Sequence, residues 1–181
     1  MVNVYANEIS TRNWKPVVAG LALYAVHWFY EILNALIQHF TGHALWMVPT
    51  GTAFLILIGV GEEISLMFSI AGLAMSKLLP ADPKLKILGV INRLLIAIAN
   101  ATFFAIVEFF SVMTPTFVWV YPWWGAFQVF ALAYIPFFLA AFYCYDWKPA
   151  NRLPLSALFS GLMLLCWCCL PASWVGSEPI E

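Results

Sequence analysis

A histidine and a glutamate four residues apart, His27 and Glu31, lie inside a long apolar run of this chain. The same spacing picks up Tyr24, Asn34 and Gln38, at intervals of three, four, three and four. Residues at those intervals share one face of an α-helix. A second apolar run carries two adjacent acids, Glu62 and Glu63, after Gly59-Val60-Gly61. A third carries Arg93, Asn100 and Glu108 on about one face, and a fourth carries Tyr121, Trp124 and Gln128. Carboxyl and imidazole groups held away from water can give and take protons, because burial and neighbouring charges tune their pKa values. Two adjacent acids at depth are not expected to ionise together, which leaves one of them a general acid. The expected catalytic set is therefore Glu62 or Glu63 as the acid, with His27 and Glu31 as base or proton relay. Neighbours on a helix diverge by about 100°, so one acid of the pair should face the site and the other should not. Tyr24, Asn34, Asn100, Glu108, Tyr121, Trp124 and Gln128 are the expected substrate-binding residues.

Plainer readings stand beside these. Asn34 and Gln38 suit an interhelical hydrogen-bond seam, and Arg93 suits a structural ion pair with Glu62 or Glu63. Arg93 and Glu108 lie toward the ends of their run, from which long side chains can reach an interface.

The elements that must position these groups follow from composition. The chain has 181 residues, 64% hydrophobic and 9% charged. Soluble domains carry about 25% charged residues and need polar cover. The expected fold is all-α: one polytopic integral membrane domain over residues 1–181, a bundle of about five transmembrane helices. A span needs roughly 20 apolar residues. The runs are about 16–37, 51–78, 85–112, 117–143 and 153–170. Thr41-Gly42-His43, Pro80-Ala81-Asp82-Pro83, Thr114-Pro115-Thr116 and Asp146-Trp147-Lys148-Pro149 separate them. Pro136 should kink the fourth.

Arg12, Lys15, Lys77, Lys84, Lys86, Lys148 and Arg152 all fall on one side of such a bundle. By the positive-inside rule the N-terminus is expected in the cytoplasm and the C-terminus on the far side. The first sixteen residues are polar, so the first apolar helix is expected to be retained rather than cleaved as a signal. Trp14, Trp46, Trp119, Tyr121, Trp147 and Trp174 fall near expected interfaces and read as headgroup anchors. Cys144, Cys166, Cys168 and Cys169 read as small apolar side chains packed in helices. No cofactor is implied, and a net charge of −1 gives no basis for nucleic-acid binding.

The stretch Val26-His27-Trp28-Phe29-Tyr30-Glu31 contains His-x-x-x-Glu on an expected membrane helix. It resembles the emopamil-binding protein family of sterol isomerases. Glu62-Glu63-Ile64-Ser65 is similar to that family's next helix, and Trp119-Val120-Tyr121 with Gln128 and Pro136 to its aromatic fourth helix. The resemblance implies a bundle of about five membrane helices that shifts a double bond through a carbocation, using an intramembrane His and Glu residues. The family has a helix ahead of its His-x-x-x-Glu motif, and here the motif lies on the first helix. The family's Gly-Asp-rich stretch is replaced by Asn100-Ala101-Thr102-Phe103-Phe104.

Three functions compete at this point. The first is an isomerase or cyclase of a lipid-soluble isoprenoid or sterol-like substrate, working by proton transfer to and from carbon. The second is proton-coupled transport, or a subunit of a membrane redox or transport complex, because buried Glu and His also build proton paths. The third is a divalent-metal site made by His27, Glu31, Glu62, Glu63 and Glu108, although one His among four acids suits zinc poorly and no metal ligand is assigned. The expected partners are a hydrophobic small molecule and membrane lipids. A homo-oligomer and a larger membrane complex both remain open as assemblies.

Overall fold

The computed structural model describes residues 2–49, 55–57 and 60–147. A short helix, α1 (Val2–Ser10), turns through Thr11–Asn13 into α2 (Trp14–Thr41). Three further helices follow: α3 (Glu62–Ser76), α4 (Asn92–Val112) and α5 (Ala126–Tyr145). Short antiparallel ribbons occupy the connections. They pair β1 (Trp46–Met47) with β6 (Val118–Trp119), β2 (Leu55–Leu57) with β3 (Val60–Gly61), and β4 (Lys86–Ile87) with β5 (Val90–Ile91).

Among the described residues, α2, α4 and α5 are long and apolar enough to cross a membrane, with 28, 21 and 20 residues. At about 1.5 Å per residue each reaches or exceeds the ~30 Å hydrocarbon core. α3 is apolar, but its 15 residues fall short of that length.

The expected span boundaries need correction. The second, 51–78, is not one helix. Within it Leu55–Leu57 and Val60–Gly61 pair as the β2–β3 ribbon, and α3 starts only at Glu62. Gly61 directly precedes α3, and glycine weakens a helix interior by about 0.5–1 kcal/mol relative to alanine. Glu62 and Glu63 therefore open a helix instead of lying midway along one. The third span is expected from 85, whereas α4 starts at Asn92. Leu88 and Gly89 have φ of 53° and 81°, which turns β4 back onto β5. The fourth is expected from 117, whereas α5 starts at Ala126. Pro122 biases Tyr121 away from helical geometry, and Val118–Trp119 pairs as a strand. The expected fifth span, 153–170, lies outside the described residues. The helix α1 is not among the expected elements.

The connections make α2, α3, α4 and α5 run alternately up and down. One end of the bundle carries Asn13, Lys77, Arg93 and Asp146, and the other carries the β1–β6 ribbon. At the first end Glu8 of α1 bonds Lys77, just past the end of α3. Arg93 grips Asp146 through Nε and Nη2, both at 2.8 Å, and donates from Nη1 to the Pro80 carbonyl at 2.9 Å. This fork-to-carboxylate pair ties α4 to the end of α5. It replaces the ion pair with Glu62 or Glu63 that the sequence suggested for Arg93.

α2 and α3 pack closely at Gly72. A Cβ there would lie 2.7 Å from the Ala19 carbonyl oxygen, 2.8 Å from Leu23 Cβ and 3.0 Å from Gly20 Cα. Small residues permit this approach of backbones, as in other membrane helix pairs. Phe68, one turn from Gly72, is thereby pressed into the space beside His27.

Candidate functional site

Between the four helices lies a cavity of about 240 Å³. α2 supplies His27, Tyr30 and Glu31, and α3 supplies Ile64, Met67 and Phe68. α4 supplies Phe104, Val107, Glu108 and Ser111, and α5 supplies Val129, Ala133, Tyr134 and Phe137. Trp46, Phe117 and Trp124 close it at the β1–β6 end. Among the described residues no lysine or arginine lines it.

Two acidic centres face this space. In the first, His27 Nε2 is 3.4 Å from Glu31 Oε1, and Trp46 Nε1 donates to the same oxygen at 3.3 Å. Both residues are buried. Glu31 Oε2 and His27 Nδ1 are buried without a hydrogen-bond partner among the described residues. Such groups are rare in folded proteins, because an unmet buried polar atom is expensive. The His27 ring stacks on Phe68 at 4.4 Å and meets the edge of Phe137 at 6.4 Å.

In the second centre, Trp119 Nε1 donates to Glu108 Oε1 at 2.8 Å, and the Tyr134 hydroxyl donates to Glu108 Oε2. Both carboxylate oxygens thus accept hydrogen bonds. The two centres are linked through the ribbon. Trp46 and Trp119 are register partners across β1 and β6, and each gives its indole N–H to one of the two carboxylates. A third indole, Trp124, stacks on Trp46 with ring centroids 5.8 Å apart.

Backbone irregularity in α5 sets the position of Tyr134. Residues Val129–Tyr134 form a π-helical turn, just before Pro136. Pro136 has no N–H to give to the Leu132 carbonyl one turn back. The Tyr30 hydroxyl makes that bond instead, at 2.5 Å. Wide turns of this kind recur at functional sites, because they re-aim side chains. Here the turn delivers Val129, Ala133 and Tyr134 to the cavity.

Of the residues singled out in the sequence, His27, Glu31, Glu108 and Trp124 line this cavity, and Tyr24, Glu63, Asn34, Asn100, Tyr121 and Gln128 do not. Tyr24 contacts the Trp28 ring, and Tyr121 bonds Thr41 and the His43 carbonyl at the ribbon end. Asn100 is satisfied within its own helix by the Ile96 carbonyl at 2.8 Å. Glu63 is exposed at the start of α3, and the Glu62 side chain is outside what the structure describes.

Asn34 acts one layer away. Its Oδ1 accepts from the Leu45 and Trp46 amides at 2.7 and 3.4 Å, and its Nδ2 donates to the Trp46 carbonyl at 3.0 Å. It fixes the loop that brings the Trp46 indole to Glu31. Asn34→Leu leaves those buried backbone groups unmet, at about 1–3 kcal/mol. A melting temperature below that of the parent protein in detergent is the expected result, and an unchanged one would remove Asn34 from this role.

Sequence reasoning missed Trp46, Trp119, Phe68, Tyr134 and Phe137 as parts of the site. The two tryptophans read as membrane anchors, because anchoring accounts for tryptophan near an interface without reference to a carboxylate. The usable signal for Tyr134 was Pro136, which marks the irregular turn.

No solved structure matches this chain. A protein of Archaeoglobus fulgidus, described as "Uncharacterized protein", is 46% identical over 150 residues, covering 81% of this chain and 71% of that protein. Residues 1–170 match a family described as "Uncharacterized membrane protein family". That match overturns the resemblance to the emopamil-binding protein family, whose His-x-x-x-Glu pattern arises readily wherever a polar stripe crosses an aromatic helix. With its three candidate spanning helices, this is a multi-pass integral membrane protein. The chain belongs to the uncharacterized membrane protein family that its first 170 residues match.

Proposed function

We propose that the cavity is the active site of an intramembrane acid–base enzyme, an isomerase or cyclase of an isoprenoid-type lipid. One observation carries this reading: a buried carboxyl, a half-buried one and a histidine share one aromatic-walled space that holds no lysine or arginine among the described residues. Aromatic faces and carboxylates both stabilise a cation that is hidden from water.

Glu31 is the acid, since Oε2 is the carboxyl oxygen with no partner. It gives its proton to one carbon of a substrate C=C bond, and the other carbon becomes cationic. Phe68, Tyr134 and Phe137 face that charge, and Glu108 accepts a proton from a neighbouring carbon. A new double bond forms there, or in a second position after ring closure. Glu31 is left ionised and Glu108 protonated, and His27 and solvent restore the starting state. No oxidant or reductant is needed. The roles differ from the sequence expectation in placing the acid on Glu31 instead of Glu62 or Glu63.

Solvent deuterium tests the reading whichever lipid is the substrate. The purified protein in vesicles is incubated in D₂O with neutral lipids extracted from Archaeoglobus fulgidus, the source of the relative. An unsaturated neutral lipid should gain carbon-bound deuterium and a changed double-bond or ring pattern, read by mass spectrometry. If no lipid gains deuterium above a protein-free control, the proposal fails.

A further inference from the structure

We infer that the substrate enters this cavity sideways from the bilayer, through a mouth between α3 and α4, and that it is an uncharged isoprenoid lipid instead of a phosphate or diphosphate ester. The inference rests on the active-site reading above and adds the route and the charge of the substrate.

The mouth is located by exposure. Most of the lining is buried, but Met67 of α3 and Val107 of α4 are each 45% exposed. α3 packs on α2, while α4 packs on α5, so the cavity wall is thinnest between α3 and α4. Val107 lies within a helix long and apolar enough to cross a membrane, and its neighbours Phe103, Ile106 and Phe110 are exposed apolar side chains. The surroundings of the mouth are therefore suited to lipid tails.

Size points the same way. The 240 Å³ cavity holds about eight waters at ~30 Å³ each, less than the roughly 300–1,000 Å³ of a pocket for a whole drug-sized ligand. It fits the reacting section of a long chain, with the remainder lying out through the mouth in the bilayer. Charge fixes the head group. A phosphate group at the reacting end would meet the Glu108 carboxylate with no lysine or arginine in the described lining to receive it. Anion beside anion in a water-poor space is strongly unfavourable.

A diazirine-bearing farnesol and its diphosphate ester are the probes. Each is added to the full chain in phosphatidylcholine vesicles and photolysed, and labelled residues are mapped by mass spectrometry. The neutral probe should label Phe68, Phe104 or Trp124, and excess farnesol should compete. The diphosphate should label these positions at least tenfold less. Met67→Cys, capped after reconstitution with a bulky lipid-soluble methanethiosulfonate, should lose cavity labelling at least tenfold. Phe110→Cys, capped alike, should retain it, as should the unaltered protein given the same reagent. Because capping follows folding, loss of label reports blockage and not misfolding. Absent cavity labelling by the neutral probe, equal labelling by the diphosphate, or an unaffected Met67→Cys protein would each overturn the inference. Glu31→Gln should still be labelled. If labelling and blockage behave as expected while the deuterium assay is blank, the route stands and the acid–base reading falls.

Discussion

Glu31→Gln is expected to lower deuterium transfer to lipid by about 10²–10⁴-fold, the usual scale of a lost general acid. Glutamine keeps the shape of the side chain and still offers an oxygen to the Trp46 indole. It cannot hold a transferable proton. The melting temperature should change little, because the indole contact and the packing against His27 both persist. Measuring both quantities on one preparation separates chemistry from folding. Parent-level deuterium transfer in Glu31→Gln would end the acid–base assignment to this residue. The reverse pattern, a lower melting temperature with turnover preserved, would make the His27–Glu31 stripe a hydrogen-bond seam.

Gly72→Leu carries the largest expected effect on stability. Even the first carbon of the new side chain meets backbone, 2.7 Å from the Ala19 oxygen, and backbone cannot rotate aside. α2 and α3 must separate, and overpacking of this kind costs about 1–3 kcal/mol or more. The melting temperature in detergent should fall well below that of a Phe103→Leu control, which alters an exposed side chain. Separation should also draw Phe68 from the His27 ring, so deuterium transfer should fall with it. An unaltered melting temperature would mean that the two helices do not approach this closely.

The sequence disclosed the membrane class because composition alone rules out a water-facing surface for so apolar a chain. It disclosed the His27–Glu31 face because helical periodicity is a local property. Glu108 was legible as a polar group needing partners, since one acid in an apolar helix must find donors. Its donors were not legible. Trp119 reaches it by pairing with a strand more than seventy residues earlier, and Tyr134 reaches it through a π-helical turn. Neither follows from local pattern. Helix ends failed for a related reason. Hydropathy does not distinguish an apolar strand from an apolar helix, and Leu55–Leu57, Val60–Gly61 and Val118–Trp119 all read as helix by hydropathy alone. Glu62 and Glu63 then looked deep, because the run around them looked continuous.

The bond from Tyr30 to the Leu132 carbonyl makes two positions 106 residues apart answerable to each other. A chain that exchanges Pro136 for a residue with an amide hydrogen supplies a donor from within α5, and position 30 is then released to vary. A chain that keeps the proline but loses the phenol strands an acceptor in an apolar setting. Inheritance should therefore treat Tyr30 and Pro136 as one character. Their joint substitution among descendants would record the history of the turn that aims Tyr134.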